Sequence, residues 1–240
     1  MTTFTAVLTD LLRGDSGRPL VTFYDDHTGE RTELSVTTYA NWVAKAASLL
    51  VDELDLEKGQ TLRVDLPAHW LGPVFLGAAW TAGLVVTEDD DPDAVVCGPD
   101  TLERWAPRAD DLVVLASALL PMGVRHPDGV PAGVHDVGVE IWSQPDAFVA
   151  WDPPTGADTA HDLGGRPVSQ DDLWSAAAAG TLVSDGDRLL TEANPASPPG
   201  IATFTEPLLR RGSLVLVARA ERERLEATYV AERATARFPA

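Results

Sequence analysis

Three short runs constrain this chain more than anything else in it: Leu84-Val85-Val86-Thr87, Ala94-Val95-Val96-Cys97 and Leu112-Val113-Val114-Leu115. A strand with one face in water alternates apolar with polar side chains, whereas a continuous apolar, β-branched run needs cover on both faces. The last two runs flank a helical stretch from Thr101 to Ala106. Strand and helix therefore alternate, and the expected class is α/β, a mostly parallel sheet with helices on both faces.

The surrounding sequence extends that pattern. Leu20–Tyr24 and Arg31–Leu34, joined by Asp25-Asp26-His27-Thr28-Gly29, read as a hairpin. Ser35 is placed to cap a helix reaching Leu54, because Tyr39, Trp42, Val43, Ala46, Leu49 and Leu50 recur at three- and four-residue spacings. Gly59 breaks the chain before a strand at Thr61–Leu66, and the apolar stretch from His69 to Ala82 reads as a buried helix ended by Gly83. Further strands are expected at Ala147–Trp151, Arg188–Leu190 and Leu214–Val217. Helices are expected at Gln170–Ala179, up to Leu209, and over Arg219–Arg233. Residues 121–138 and 152–166 are irregular and rich in Gly and Pro. The expected division is a first α/β subdomain over 1–150, including the hairpin, and a continuation over 151–240.

With 18 Lys and Arg against 37 Asp and Glu, the formal net charge is −19. Nucleic acid is excluded as a partner, since binding it rests on cations that neutralise phosphates. There is no apolar run of about 18 residues and no basic leader, so neither a membrane partner nor a secretory leader is expected, and the expected location is cytoplasmic. Cys97 is the only cysteine. It reads as a small buried hydrophobe, and an intrachain disulfide is impossible.

Several local patterns mimic catalytic or metal motifs. Gly14-Asp15-Ser16-Gly17-Arg18-Pro19 matches the surroundings of a serine-protease nucleophile, but only 13 residues precede it, too few for an upstream base and orienting carboxylate. Glu88-Asp89-Asp90-Asp91-Pro92-Asp93 lacks the internal glycine and distal glutamate of a calcium loop and reads as a solvated turn. His126, His135 and His161 have no helical His-x-x-x-His spacing, so a metal site would require convergence from separate loops. No metal ligand and no catalytic residue is assigned.

Taken in order, these elements resemble the start of the adenylate-forming (AMP-binding) superfamily, in particular the N-terminal domain of acyl-CoA synthetases. Leu34-Ser35-Val36-Thr37-Thr38-Tyr39 resembles that family's "LSY.EL" helix start. Glu57-Lys58-Gly59-Gln60-Thr61-Leu62-Arg63-Val64 is similar to its "KGD.V.V" turn, followed by Leu66-Pro67 and the helix ending at Gly83. Asp146–Trp151 takes the place of the strand entering the family's phosphate loop, and Gly186–Leu190 and Pro207–Val217 resemble its "DR.L" and "PLL.G...V" segments. The resemblance covers most of this chain but about the first half of a full-length member, so the C-terminal half and lid domain are expected to be absent.

Where the family has Thr-Ser-Gly-Thr-Thr-Gly-x-Pro-Lys-Gly, this chain has residues 152–168, in which Thr155, Gly156, Gly164, Gly165 and Arg166 are the residual ligand-binding candidates. Val168 follows Pro167 directly, leaving the family's lysine without a counterpart, and Asp152, Asp158 and Asp162 enter instead. A carboxylate about 4 Å from a phosphate costs about 1 kcal/mol in water and about 4 kcal/mol at an effective dielectric of 20. The resemblance, so altered, implies a non-catalytic binding or scaffold module for a small acyl or nucleotide ligand or a protein, without cofactor. The alternative is an acyl or aminoacyl adenylating enzyme completed by a partner chain, in which case ATP or AMP and Mg²⁺ enter. A third possibility is a small unrelated hydrolase or metal enzyme built on the histidines. Loss of half an architecture also leaves apolar surface uncovered, from which a homodimer is expected.

Overall fold

A computed structural model describes residues 2–198 and 200–239. The chain opens with a helix, α1 (Phe4–Arg13), capped by the Thr3 hydroxyl, which accepts from the Ala6 amide. Phe4, Val7, Leu8 and Leu11 form its buried stripe. The hairpin expected from sequence follows as β1 (Pro19–Asp25) and β2 (Glu30–Ser35), antiparallel. Ser35 then caps α2 (Val36–Ser48), its hydroxyl accepting from the Thr38 amide. The helix continues to Glu53 as a wider π-turn. After β3 (Thr61–Asp65) comes α3 (Leu71–Ala82), buried on nearly every side and closed by Gly83 at φ +81°, a left-handed conformation that glycine adopts without strain.

The three β-branched runs become β4 (Val85–Thr87), β5 (Ala94–Cys97) and β6 (Val113–Ala116), with α4 (Pro99–Trp105) between the last two. Residues 121–138 contain β7 (His135–Asp136), and α5 (Val137–Glu140) follows directly. A second hairpin, β8 (Thr159–Asp162) and β9 (Pro167–Ser169), leads into α6 (Gln170–Ala179). The remainder is β10 (Arg188–Thr191), α7 (Ile201–Leu209), β11 (Ser213–Ala218), α8 (Arg222–Ala231) and β12 (Ala236–Phe238).

These strands form two sheets rather than one. The five-stranded sheet has the order β12-β10-β11-β1-β2, and the seven-stranded sheet β7-β6-β5-β3-β4-β8-β9. Every ladder is parallel except the two hairpin pairings, β1 with β2 and β8 with β9. The class expected from sequence, mostly parallel α/β, is therefore correct. The division at residue 150 is not how the sheets divide the chain: β1 and β2 pair with the C-terminal strands, while β8 and β9 extend the sheet begun at Thr61.

Period-two alternation explains how each sheet buries both faces. In β5, Ala94 and Val96 join the main core while Val95 and Cys97 face a second core around Trp105. In β11, Leu214 and Leu216 face the main core, and Val215 and Val217 face a third, beneath α8. Helices α1, α2, α3, α6 and α7 supply buried side chains to the main core that the two sheets share. Each fully buried Leu, Val or Phe there stabilises by about 1.5–3 kcal/mol relative to exposure.

One expected strand is corrected. Residues 147–151 form no strand, although their burial alternates, with Phe148 and Ala150 half-buried and Val149 and Trp151 exposed. The segment has the pattern of a strand and no ladder partner. The strand that β4 does pair with lies 12 residues further on, at Thr159–Asp162.

Candidate functional site

The candidates identified from sequence lie at opposite ends of β8. This strand runs parallel to β4, with Val86 beside His161 and Thr87 beside Asp162. Thr155 and Gly156 precede it, at the N-terminal edge of the seven-stranded sheet, while Gly164, Gly165 and Arg166 follow it at the C-terminal edge. Four strand residues, about 13 Å, separate the two groups. They do not form one cradle.

At the C-terminal edge, Leu163–Arg166 is a four-residue connection between the paired residues Asp162 and Pro167. Gly164 and Gly165 both have positive φ, +71° and +67°. Consecutive left-handed residues are what a tight hairpin turn requires, so these glycines serve the reversal of the chain. The Gly164 amide donates to Glu88 Oε1 at 2.8 Å. A carboxylate of the chain thus occupies this amide. Arg166 is exposed and forms no ion pair among the described residues.

At the N-terminal edge, the Thr155 amide and hydroxyl both donate to Asp158 Oδ2, at 2.6 and 2.9 Å. The Thr155 amide and then its hydroxyl, with Lys58 nearby, hold the Asp158 carboxyl below its usual range. Lys58 Nζ lies 2.9 Å from Asp152 and 3.8 Å from Asp158, and the bond to Asp152 raises its pKa. Gly156 accepts from the Asp171 amide through its carbonyl, and a Cβ there would meet the Asp171 carboxylate. Asp152 and Asp158, expected from sequence to repel a phosphate, here engage the donors directly. Sequence reasoning missed Glu88 and Lys58 as participants. The usable signal was that Glu88 directly follows β4, the neighbour of β8.

The acidic run is an exposed turn between β4 and β5, as expected, and its carboxylates are paired. Asp90 pairs with Arg63 and Arg104 at 2.8 and 2.6 Å, and Asp91 with Arg108 at 2.5 Å. Asp93 accepts from the Thr61 amide and hydroxyl, both at 2.7 Å. The three arginines in turn surround the Trp105 ring at 4.6–5.7 Å from its centroid.

The histidines do not converge. His135 is in β7 and His161 in β8, five strand spacings apart, or about 24 Å. The His126 amide bonds Asp136, His135 bonds Glu140, and His161 is buried, which lowers its pKa. Cys97 is fully buried, and desolvation pushes its thiol up to about 12, leaving no thiolate for nucleophilic chemistry.

A "TIGR03089 family protein" of Mycobacterium tuberculosis is 36% identical to this chain over 241 residues, covering 96% of this chain and 95% of its own length. The chain belongs to the TIGR03089 family. No protein-family profile matches it.

Solved structures place the fold of this TIGR03089 family member. An acyl-CoA synthetase of Brucella canis superposes with TM-score 0.81 at 16% identity, covering 99% of this chain and 47% of the synthetase. A benzoate CoA ligase of Burkholderia xenovorans superposes with TM-score 0.76 at 18% identity, covering 98% of this chain and 49% of the ligase. The fold is that of adenylate-forming acyl-CoA synthetases, and the chain spans about half the length of these structures. Among the described residues no helix is long and apolar enough to cross a membrane.

Proposed function

We propose that this TIGR03089 protein is a non-catalytic binding or scaffold module built on an adenylate-forming fold, able to hold a small acyl or nucleotide ligand or a protein. The observation that carries this reading is the occupancy of the candidate donors by the chain's own carboxylates: Gly164 by Glu88, Thr155 by Asp158, Lys58 by Asp152. A phosphate cradle needs several amides and a cation converging on one point. A four-residue turn with one amide already capped does not fit a triphosphate with magnesium, so no step through ATP is derived. Incubation with ATP, Mg²⁺ and a panel of aromatic and aliphatic carboxylic acids, followed by ATP–pyrophosphate exchange, should return no exchange above background. Exchange that scales with enzyme concentration would overturn the reading.

A second reading is an acyl or aminoacyl adenylating enzyme completed by another polypeptide. It is favoured by the match to about half of each solved synthetase. That reading requires a larger partner to co-purify from the native host and ATP to raise the melting temperature of the complex. Isolation without such a partner counts against it.

A further inference from the structure

The N-terminal edge of the seven-stranded sheet, which holds the Lys58–Asp152 pair, also carries two grooves that the proposed function does not use. At the N-terminal ends of β3, β5 and β6 lies a groove of about 560 Å³ lined by Asp55, Asp91, Asp93, Asp110 and Asp111, with no lysine or arginine in its wall. A neighbouring groove of about 400 Å³ shares Asp55 and Leu56 with it and adds Glu57, Lys58, Trp151 and Asp152.

The segment from Gln144 to Asp158 lines the second groove through Ala150, Trp151 and Asp152 and is fastened by the only two lysines in the chain. Lys45 bonds the Gln144 carbonyl and pairs with Asp146 at 3.2 Å, and Lys58 pairs with Asp152. Phe148 packs against the main core between these anchors. Val149 and Trp151 point outward and are 88% and 96% exposed. An indole held into water on an anchored segment leaves a large, rigid apolar face without cover, which is the kind of anchor that dominates protein interfaces.

The groove that Trp151 lines holds one cation, Lys58, already paired with Asp152, and it shares Asp55 with an adjoining groove that holds no lysine or arginine. Asp55, Glu57, Asp110 and Asp111 form no ion pair among the described residues. Nearby Asp90 and Asp91 pair with arginines, and Asp93 is held by Thr61. We propose that this edge docks a basic protein segment, with one arginine or lysine lying on the Trp151 ring and its neighbours facing Asp55, Glu57, Asp110 and Asp111. A second copy of this chain is the poorer occupant. A two-fold interface would set these same unpaired carboxylates against themselves, in a molecule that already carries a net charge of −19. The residues varied in the test below, Trp151, Asp110 and Asp111, are none of the candidate phosphate donors, so nucleotide exchange and peptide docking are read separately.

The test is titration of the purified full chain into a fluorescein-labelled ten-residue peptide of alternating arginine and glycine, read by anisotropy at several salt concentrations. Trp151→Ala, which removes an exposed side chain, should weaken binding about tenfold. The double change Asp110→Asn/Asp111→Asn should weaken it and flatten its salt dependence, while Asp128→Asn and Val230→Ser, elsewhere on the surface, should change nothing. The proposal is overturned by any of three results: no measurable binding, wild-type affinity in Trp151→Ala, or equal weakening by Asp128→Asn. It is also overturned if light scattering returns a dimer that Trp151→Ala converts to the 25.6 kDa monomer, since the occupant would then be a second copy.

Discussion

Between the two sheets, Phe4, Tyr39, Trp80, Trp174 and Phe204 form a continuous cluster of rings with centroids 5.7–6.5 Å apart. At the hairpin turn, Leu163 is the only buried side chain of four. The superposition on acyl-CoA synthetases covers both regions, and the second holds candidates that the sequence resemblance assigned to the phosphate loop. The difference teaches that the buried side chains are concentrated in the layer, to which the turn contributes Leu163 alone of its four residues. Likeness of architecture is a statement about the fold and not about the chemistry of a site.

The largest expected effect tests the layer. Trp80 is fully buried, and its Nε1–H donates to the Ala160 carbonyl at 3.0 Å, joining α3 to β8. Trp80→Ala should cost about 3–5 kcal/mol, read as a shifted urea midpoint. A loss below 1 kcal/mol would erase the contrast between the two regions.

Next comes pH. His69 packs beside Phe23, with ring centroids 4.8 Å apart, and its Nδ1 accepts from the Leu71 amide. Burial, opposed only by Asp25, lowers its pKa to about 3. The unfolded imidazole titrates near 6.5 and therefore binds the proton first as pH falls. Stability is thus full above about pH 6.5 and declines toward pH 3, with about 2 kcal/mol lost by pH 5. Chemical unfolding of wild type and His69→Leu across that range should show the slope in the first and a flatter curve in the second.

The turn should respond more weakly. Gly165→Ala places a Cβ at φ +67° and should cost about 1 kcal/mol without altering any ligand response. Glu88→Gln should change stability by about 0.5 kcal/mol or less, because the bond to Gly164 is exposed. It should also leave the melting temperature insensitive to ATP and Mg²⁺. A thermal shift appearing in Glu88→Gln alone would mean that the carboxylate was the sole obstacle and that the turn is a phosphate site in waiting.

The sequence showed the local half of this arrangement. Ser35 as a cap, Gly83 as a stop and the runs that became β4, β5 and β6 all depend on neighbours within a few residues, and all are where they were expected. Helix α1 was equally legible in the spacing of Phe4, Val7, Leu8 and Leu11 but was not read from it. Thr159–Asp162 was not legible, because its polar composition resembles a loop and its strand character comes from pairing with Val86 and Thr87. Residues 147–151 erred in the opposite direction, offering alternation without a partner. Glu88 and Gly164 are 76 residues apart, and nothing local to either announces that they meet.

The pairing of β1 with β11, Val21 beside Leu214 through Asp25 beside Ala218, has a consequence for synthesis. A chain leaving the ribosome N-terminus first exposes its opening hairpin nearly two hundred residues before the central partner of that sheet is made. The seven-stranded sheet is complete once Ser169 has emerged, so it can order while Leu20, Val21 and Phe23 still lack their neighbour. During that interval the hairpin presents an open edge, which closes only once β11 has been made.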